Sequence, residues 1–247
     1  MNIAIIFAGG TGQRLKSGQD SLPKQFLKIH NKPIIVHTLD IFQQHPLIDK
    51  IYIAIHPDYY DYMQDLVQHY YITKTAGIVA GGATGQDSIY NALKLAQSQN
   101  PDDSLVLIHD GVRPNVAPEV IDANIKCAKE HGNAVTATPC YETILISENG
   151  INPKQVPYRK NTYKAQAPQT FKLCEIVKAH EKTRKTNPKY ENIVDSCTLF
   201  KSLHKQTYMV NGNQGNIKIT TIEDLYILRA LIRFREDLEA LGIDSKE

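Results

Sequence analysis

A chain of 247 residues can build an α/β domain with an ample core, and its 42% hydrophobic and 22% charged residues belong to a globular protein, not to a disordered or fibrous one. A formal net charge of +2 excludes the clustered basic excess of a dedicated nucleic-acid binder. No apolar run reaches membrane-spanning length, no signal-like segment opens the chain, and Cys127, Cys140, Cys174 and Cys197 form no C-x-x-C pair; reduced thiols and a cytoplasmic location are expected.

"IAIIF" reads as a short buried strand and runs straight into "AGGTGQRL", residues 8 to 15. A glycine turn directly after a strand lets backbone N–H groups approach an anion. It is not a P-loop, because no lysine-serine or lysine-threonine pair follows it. It is a poor dinucleotide fingerprint too, since Leu15 takes the place of the third, helix-packing glycine. Arg14 and then Lys24, in "LPKQFL", supply a forked and a compact cation. With the glycine loop they suit a triphosphate and charge growing on departing pyrophosphate; alone, each would be a solvated surface group.

Pro33 is placed to open a helix with Ile34, Ile35, Leu39 and Phe42 as its apolar stripe. "KIYIAI" and "AGIVAGG" are strand-like, and between them "DYYDYMQDLVQHYY" offers tyrosines for base stacking. The same segment fits a half-buried helix with Met63, Leu66 and Val67 inward, and Asp58, Asp61 and Asp65 would repel a phosphate backbone, so a structural helix is preferred. "GGATGQDS", residues 81 to 88, is a second glycine turn. Gly81 and Gly82 would let a flat base lie on the backbone near Ser88, or simply join a strand to a helix capped by Thr84 and carrying Ile89, Ala92, Leu93 and Ala96.

"SLVLI" leads into "HDGVRP", which puts Asp110 and Arg113 at a strand's carboxyl end, where open α/β sheets bind ligands. Asp110 suits Mg²⁺ on phosphate oxygens and Arg113 an anionic substrate; alternatively Asp110 closes a turn and pairs with Arg113. Pro118 and Glu119 open the next helix, and "NAVTAT" is another strand. Strands alternating with helical segments predict an α/β fold, a mostly parallel sheet with helices on both faces. After residue 139 the texture changes. "ETILISENGINPKQVPYR" reads as two strands around Glu148-Asn149-Gly150, a hairpin arm at about 139–163 on a single domain of 1–247. "GNIKITTIEDL" places Lys218 at the end of a further short strand, and Ile222 to Leu241 forms a closing amphipathic helix.

"AGGTGQRL", "PKQFL", "GGATGQDS", "HDGVRP", "YRKNTYKAQAPQTF" and "GNIKITT", in this order, resemble the cytidylyltransferases that act on 2-C-methyl-D-erythritol 4-phosphate or ribitol 5-phosphate. The resemblance covers nearly the whole chain. It implies a Rossmann-like nucleotidyltransferase fold, a homodimer joined through the arm, and CTP, an alditol phosphate and Mg²⁺ as reactants. By position, Ala8, Gly9 and Gly10 would meet the triphosphate, with Gly82, Ser88 and Gly111 completing the nucleotide site. Arg14, Lys24 and Lys218 match the phosphate-stabilising cations, Asp110 the metal position, and Asp110, Arg113, Thr143 and Arg159 the positions that contact the sugar-phosphate. Gly85 stands where relatives carry arginine, "HDGVRP" replaces the "HDAARP" of the methylerythritol branch, and Val194 replaces its threonine. "PKQF" and "YRKNTYKAQAPQTF" are closer to the ribitol branch, which is therefore expected. The competing classes are a sugar-1-phosphate nucleotidyltransferase using another nucleotide and a catalytically silent sugar-nucleotide-binding protein.

Overall fold

The computed structural model describes residues 1–10 and 22–242. Its centre is a seven-stranded sheet in the order β5-β4-β1-β6-β8-β7-β9. The strands are β1 (Asn2–Ala8), β4 (Lys50–Ile55), β5 (Thr75–Ala80), β6 (Leu105–Asp110), β7 (Asn133–Pro139), β8 (Tyr163–Lys172) and β9 (Met209–Asn211). A separate two-stranded ribbon pairs β2 (Lys28–Ile29) with β3 (Lys32–Pro33). It turns through His30 and Asn31, both with positive φ, as a two-residue hairpin requires.

The segments "IAIIF", "KIYIAI", "AGIVAGG", "SLVLI" and "NAVTAT" all lie in this sheet, because each is a short apolar run flanked by turn residues. Alternate residues of β1 enter opposite cores. Ala4, Ile6 and Ala8 pack with Ile35, Leu39 and Phe42 of α1 (Ile34–Gln44), Met63 of α2 (Tyr60–His69) and Ile121 of α4 (Pro118–His131). Ile3 and Ile5 pack with Ile89 and Leu93 of α3 (Gly85–Gln99), Ile176 of α5 (Leu173–Thr186) and Phe200 of α6 (Ser196–Ser202). A strand buried on both faces reads as continuously apolar, which is how "IAIIF" looks in the sequence. The tyrosine-rich segment is the structural helix α2, with Met63 and Leu66 buried.

The sheet is mostly parallel, as expected, with β8 running antiparallel to both β6 and β7 and separating them. Two expectations are corrected. The arm is an extended, exposed excursion held by one antiparallel bridge, Ile146 with Gln155, and not by two regular strands. Asn149 closes its tip by accepting from the N–H groups of Ile151 and Asn152, which replaces ladder bonds with a local turn. Lys218 sits on irregular backbone, not on a strand; its neighbour Ile219 donates its N–H to Val112 at 3.0 Å, which ties this stretch to the turn after β6. The closing helix α7 spans Ile222–Leu241 and packs Leu228 and Ile232 against Ile29, Ile34, Val112 and Ile219.

Candidate active site

The chain adds β4 and β5 on one side of β1, then crosses through α3 to place β6 on the other. That reversal makes the carboxyl ends of β1 and β6 a topological switch point, where the connecting loops diverge and leave a crevice. Both glycine turns and Asp110 open there.

Gly9 and Gly82 are dictated by close approach. A Cβ on Gly9 would lie 2.5 Å from Ser88 Oγ, and a Cβ on Gly82 would lie 2.2 Å from Asp87 Cβ. Gln25, in the 3-10 turn Lys24–Phe26, donates its side-chain N–H to the carbonyls of Ala8 (2.9 Å) and Gly10 (3.1 Å), fixing the start of the first turn. Lys24, the residue before it, is half-buried in the same turn. Arg14 lies outside the described residues. The second turn is held from within. Ser88 Oγ accepts from the Gly82 N–H and donates to the Thr84 carbonyl, both at 3.0 Å. Gly82 and Ser88 thus come together as expected, but their hydrogen bonds are spent on each other and on Thr84. Thr84 caps α3 in a reciprocal box with Asp87, and Arg184 of α5 pairs with Asp87 from behind while lying over the Tyr90 ring.

At the end of β6, Asp110 Oδ2 accepts from Arg113 Nε at 2.8 Å and Oδ1 pairs with Lys218 Nζ at 2.6 Å. Burial pushes the Asp110 carboxyl up, but Lys218 and Arg113 together outweigh it and hold the pKa down at about 2. The carboxylate is ionised, and the cluster carries one net positive charge. Arg113 is further fixed by donating Nη1 to the carbonyl of Asn216 at 2.8 Å. Gly111 donates its N–H to Phe7 and accepts from Thr38, locking this turn to β1 and α1. His109 is wholly buried, so its pKa is lowered to about 4 and the ring is neutral. Its Nε2–H donates to the Arg113 carbonyl at 3.0 Å, a structural role away from the cleft.

Asp110, Arg113 and Lys218 line a cleft of about 300 Å³ together with Phe7, Gly85 and Gln86; across it stand Gln166, Val194, Asp195 and Ser196. Thr143 and Arg159 are exposed on the arm and do not line it. The residues that sequence reasoning missed are Gln25, Gln86, Gln166, Asp195 and Ser196. "PKQF" signalled the first, whereas the others are uncharged or isolated polar residues that only folding brings to the cleft. A Cβ at Gly85 would meet only Phe7, at 3.9 Å, so the missing arginine leaves open space. Asp195, like Asp110, is fully engaged: Oδ1 accepts from Thr198, and Oδ2 from Gln169 at 2.8 Å. Among the described residues no three His, Cys, Asp or Glu side chains stand together; a Mg²⁺ held through Asp110 would take its other ligands from substrate phosphates and water.

The sequence profile described as IspD, 2-C-methyl-D-erythritol 4-phosphate cytidylyltransferase, matches residues 2–234. The chain belongs to the IspD family. It is a nucleotidyltransferase of the cytidylyltransferase class. It is 42% identical over 243 residues to a ribitol-5-phosphate cytidylyltransferase of Streptococcus agalactiae, covering 98% of this chain and all of that one. It is 38% identical to a 2-C-methyl-D-erythritol 4-phosphate cytidylyltransferase of Clostridium acetobutylicum, covering 94% of this chain and 98% of that one. The crystal structure of 4-diphosphocytidyl-2C-methyl-D-erythritol synthase from Anaerococcus prevotii superposes with a TM-score of 0.79 at 28% identity, over 94% of this chain and 96% of that one. The mixed sheet and switch-point cleft are therefore this IspD-family member's version of a shared fold.

Proposed function

We propose that the protein joins CTP and D-ribitol 5-phosphate to give CDP-ribitol and pyrophosphate. The observation that carries the reaction type is the Asp110–Arg113–Lys218 cluster beside the two glycine turns: fixed positive charge, built into the crevice at the switch point of the sheet. An oxygen of the ribitol phosphate attacks the α-phosphorus of CTP; the bond to the β-phosphate breaks, and pyrophosphate leaves with the electron pair. The attacking oxygen is already anionic, so no general base is required. The neutral, buried His109 is in keeping with that. In this reading Ala8, Gly9, Gly10 and Gly111 frame the triphosphate, and Ser88 serves cytidine through the Gly82 turn it holds. Arg14, Lys24 and Lys218 stabilise charge on the departing pyrophosphate. Mg²⁺ enters with CTP as the counter-ion of its phosphates, and Asp110, whose oxygens keep lone pairs beyond their bonds to Arg113 and Lys218, is the carboxylate placed to meet it.

The arm supports a homodimer. Tyr141, Leu145, Ile151 and Tyr158 are each at least 60% exposed on it, an apolar surface that a lone chain leaves in water. A partner's arm would bring Thr143 and Arg159 to the cleft.

Ribitol is favoured by the names of relatives aligned over 98% of the chain and by Val194, which lines the cleft without a hydroxyl. Methylerythritol phosphate is the second reading, favoured by the family description itself. CTP with a panel of polyol phosphates, followed by pyrophosphate release, tests both. The expected result is a higher kcat/KM for ribitol 5-phosphate; the reverse order assigns the second activity.

A further inference from the structure

Arg184, on the last turn of α5, does not line the cleft but touches what holds each of its two walls. On one side its Nη1 donates to Asp87 Oδ1 at 2.5 Å, while Oδ2 of that carboxylate accepts from the Thr84 N–H and hydroxyl. Asp87 thereby fixes the first turn of α3, which lends Gly85 and Gln86 to the cleft. On the other side the guanidinium reaches Tyr190. Its carbon lies 5.8 Å from that ring's centre, and hydrogen bonding to Tyr190 is the largest influence raising the Arg184 pKa. A guanidinium only donates, so the Tyr190 oxygen accepts and its O–H is left to donate to His180 Nδ1, 2.7 Å away. Burial lowers the His180 pKa to about 3, so that ring is neutral and can accept. Tyr190 in turn anchors the loop after α5: it is buried, and its carbonyl accepts the Ile193 N–H at 3.0 Å. The next residue, Val194, stands on the far wall of the cleft.

We propose that Arg184 is a positioning residue that ties the glycine turn at the nucleotide end of the cleft to the wall that faces the acceptor. The chemistry of the side chain suits the task. A guanidinium is a planar fork with five donors, so it can serve a carboxylate and a phenol in different directions at once. It also lies over the Tyr90 ring, 4.7 Å from its centre, which holds the fork in place between them. A lysine carries the charge that Asp87 meets but is a single point, without the second direction. The two partners come from separate segments, α3 and the loop after α5, and Arg184 is what they share. The role rests on CTP and ribitol 5-phosphate being the substrates.

The test measures kcat, Tm and the KM values for CTP and ribitol 5-phosphate in Arg184→Met, Arg184→Lys and Tyr190→Phe. Arg184→Met releases both sides and is expected to raise both KM values roughly three- to tenfold. Arg184→Lys keeps a cation for Asp87, so KM for CTP should stay within about twofold of wild type. Its KM for ribitol 5-phosphate should rise as far as in Arg184→Met. Tyr190→Phe should show the same split. The double variant Arg184→Lys with Tyr190→Phe should be no worse than either single one, because both remove one contact. A general loosening of the fold would instead lower Tm and move the two KM values together in every variant. Unchanged KM values in Arg184→Met, equal rises of both in Arg184→Lys, or additive losses in the double variant overturns the role. Wild type that turns over no ribitol 5-phosphate rejects the acceptor, and the role with it. Wild-type turnover matched by every variant rejects the role alone.

Discussion

Asp110 sets the electrostatics of the cleft at the residue scale. It is buried, its two oxygens are each paired with a cation, and it fixes Arg113 and Lys218 at the mouth of the crevice. Its pKa of about 2 lies below the ordinary 3.8, so the folded state favours the ionised form. The corresponding stability, about 2 kcal/mol, is fully present above pH 3.8 and is lost as pH falls toward 2. Asp110→Asn keeps the shape but leaves two cations facing one another. It should lower kcat/KM about a hundredfold or more and lower the Tm at neutral pH. The Tm difference from wild type should shrink between pH 4 and pH 2. A constant difference across that range would place the loss in packing, not in charge.

At the scale of the element, α3 matters through its first turn. The helix starts where Thr84 and Asp87 satisfy each other's backbone, and the same turn carries Gly82 against Asp87 with no room for a Cβ. Local capping chemistry and the geometry of the glycine turn, to which the proposed reaction assigns the nucleotide, are therefore one structure, braced from α5 by Arg184. Gly82→Ala must push Asp87 away and uncap the helix. It is expected to destabilise the protein by about 1–3 kcal/mol and to raise KM for CTP at least about tenfold, with KM for the alditol phosphate little changed. Thermal melts and the two KM values check this. Equal rises in both would mean that the turn supports the whole cleft and not the nucleotide end.

For the whole molecule the question is where the arm works. One bridge and a local turn give it no core, and its exposed apolar side chains need a surface that the lone chain does not provide. If it completes the neighbour's cleft, Lys24→Ala and Arg159→Ala should each be nearly inactive, yet complement one another on co-expression. Random pairing of equal amounts makes about half of the dimers mixed, and one cleft in each mixed dimer escapes both defects. Activity should return to roughly a quarter of the wild-type level. Mixed dimers that form without regaining activity would assign Arg159 to its own subunit.

The sequence by itself determined five of the central strands, from β1 to β7, and the helices α1 to α4 and α7, since strand runs, caps and helix stripes are local: each depends on residues a few positions apart. It also marked the turn at Gly82, Thr84 and Asp87, whose chemistry lies within six residues, and part of the charged wall of the cleft, because "HDGVRP" carries Asp110 and Arg113 together. What the tertiary structure decided lies far apart along the chain. The insertion of β8 between β6 and β7 is a pairing choice that a segment's own pattern does not encode. The junction of Asp110 with Lys218 spans more than a hundred residues and depends on Ile219 being tied to Val112. Ser196 and Gln86 carry no signature at all, for a serine and a glutamine become part of a cleft wall only when packing brings the starts of α6 and α3 together there.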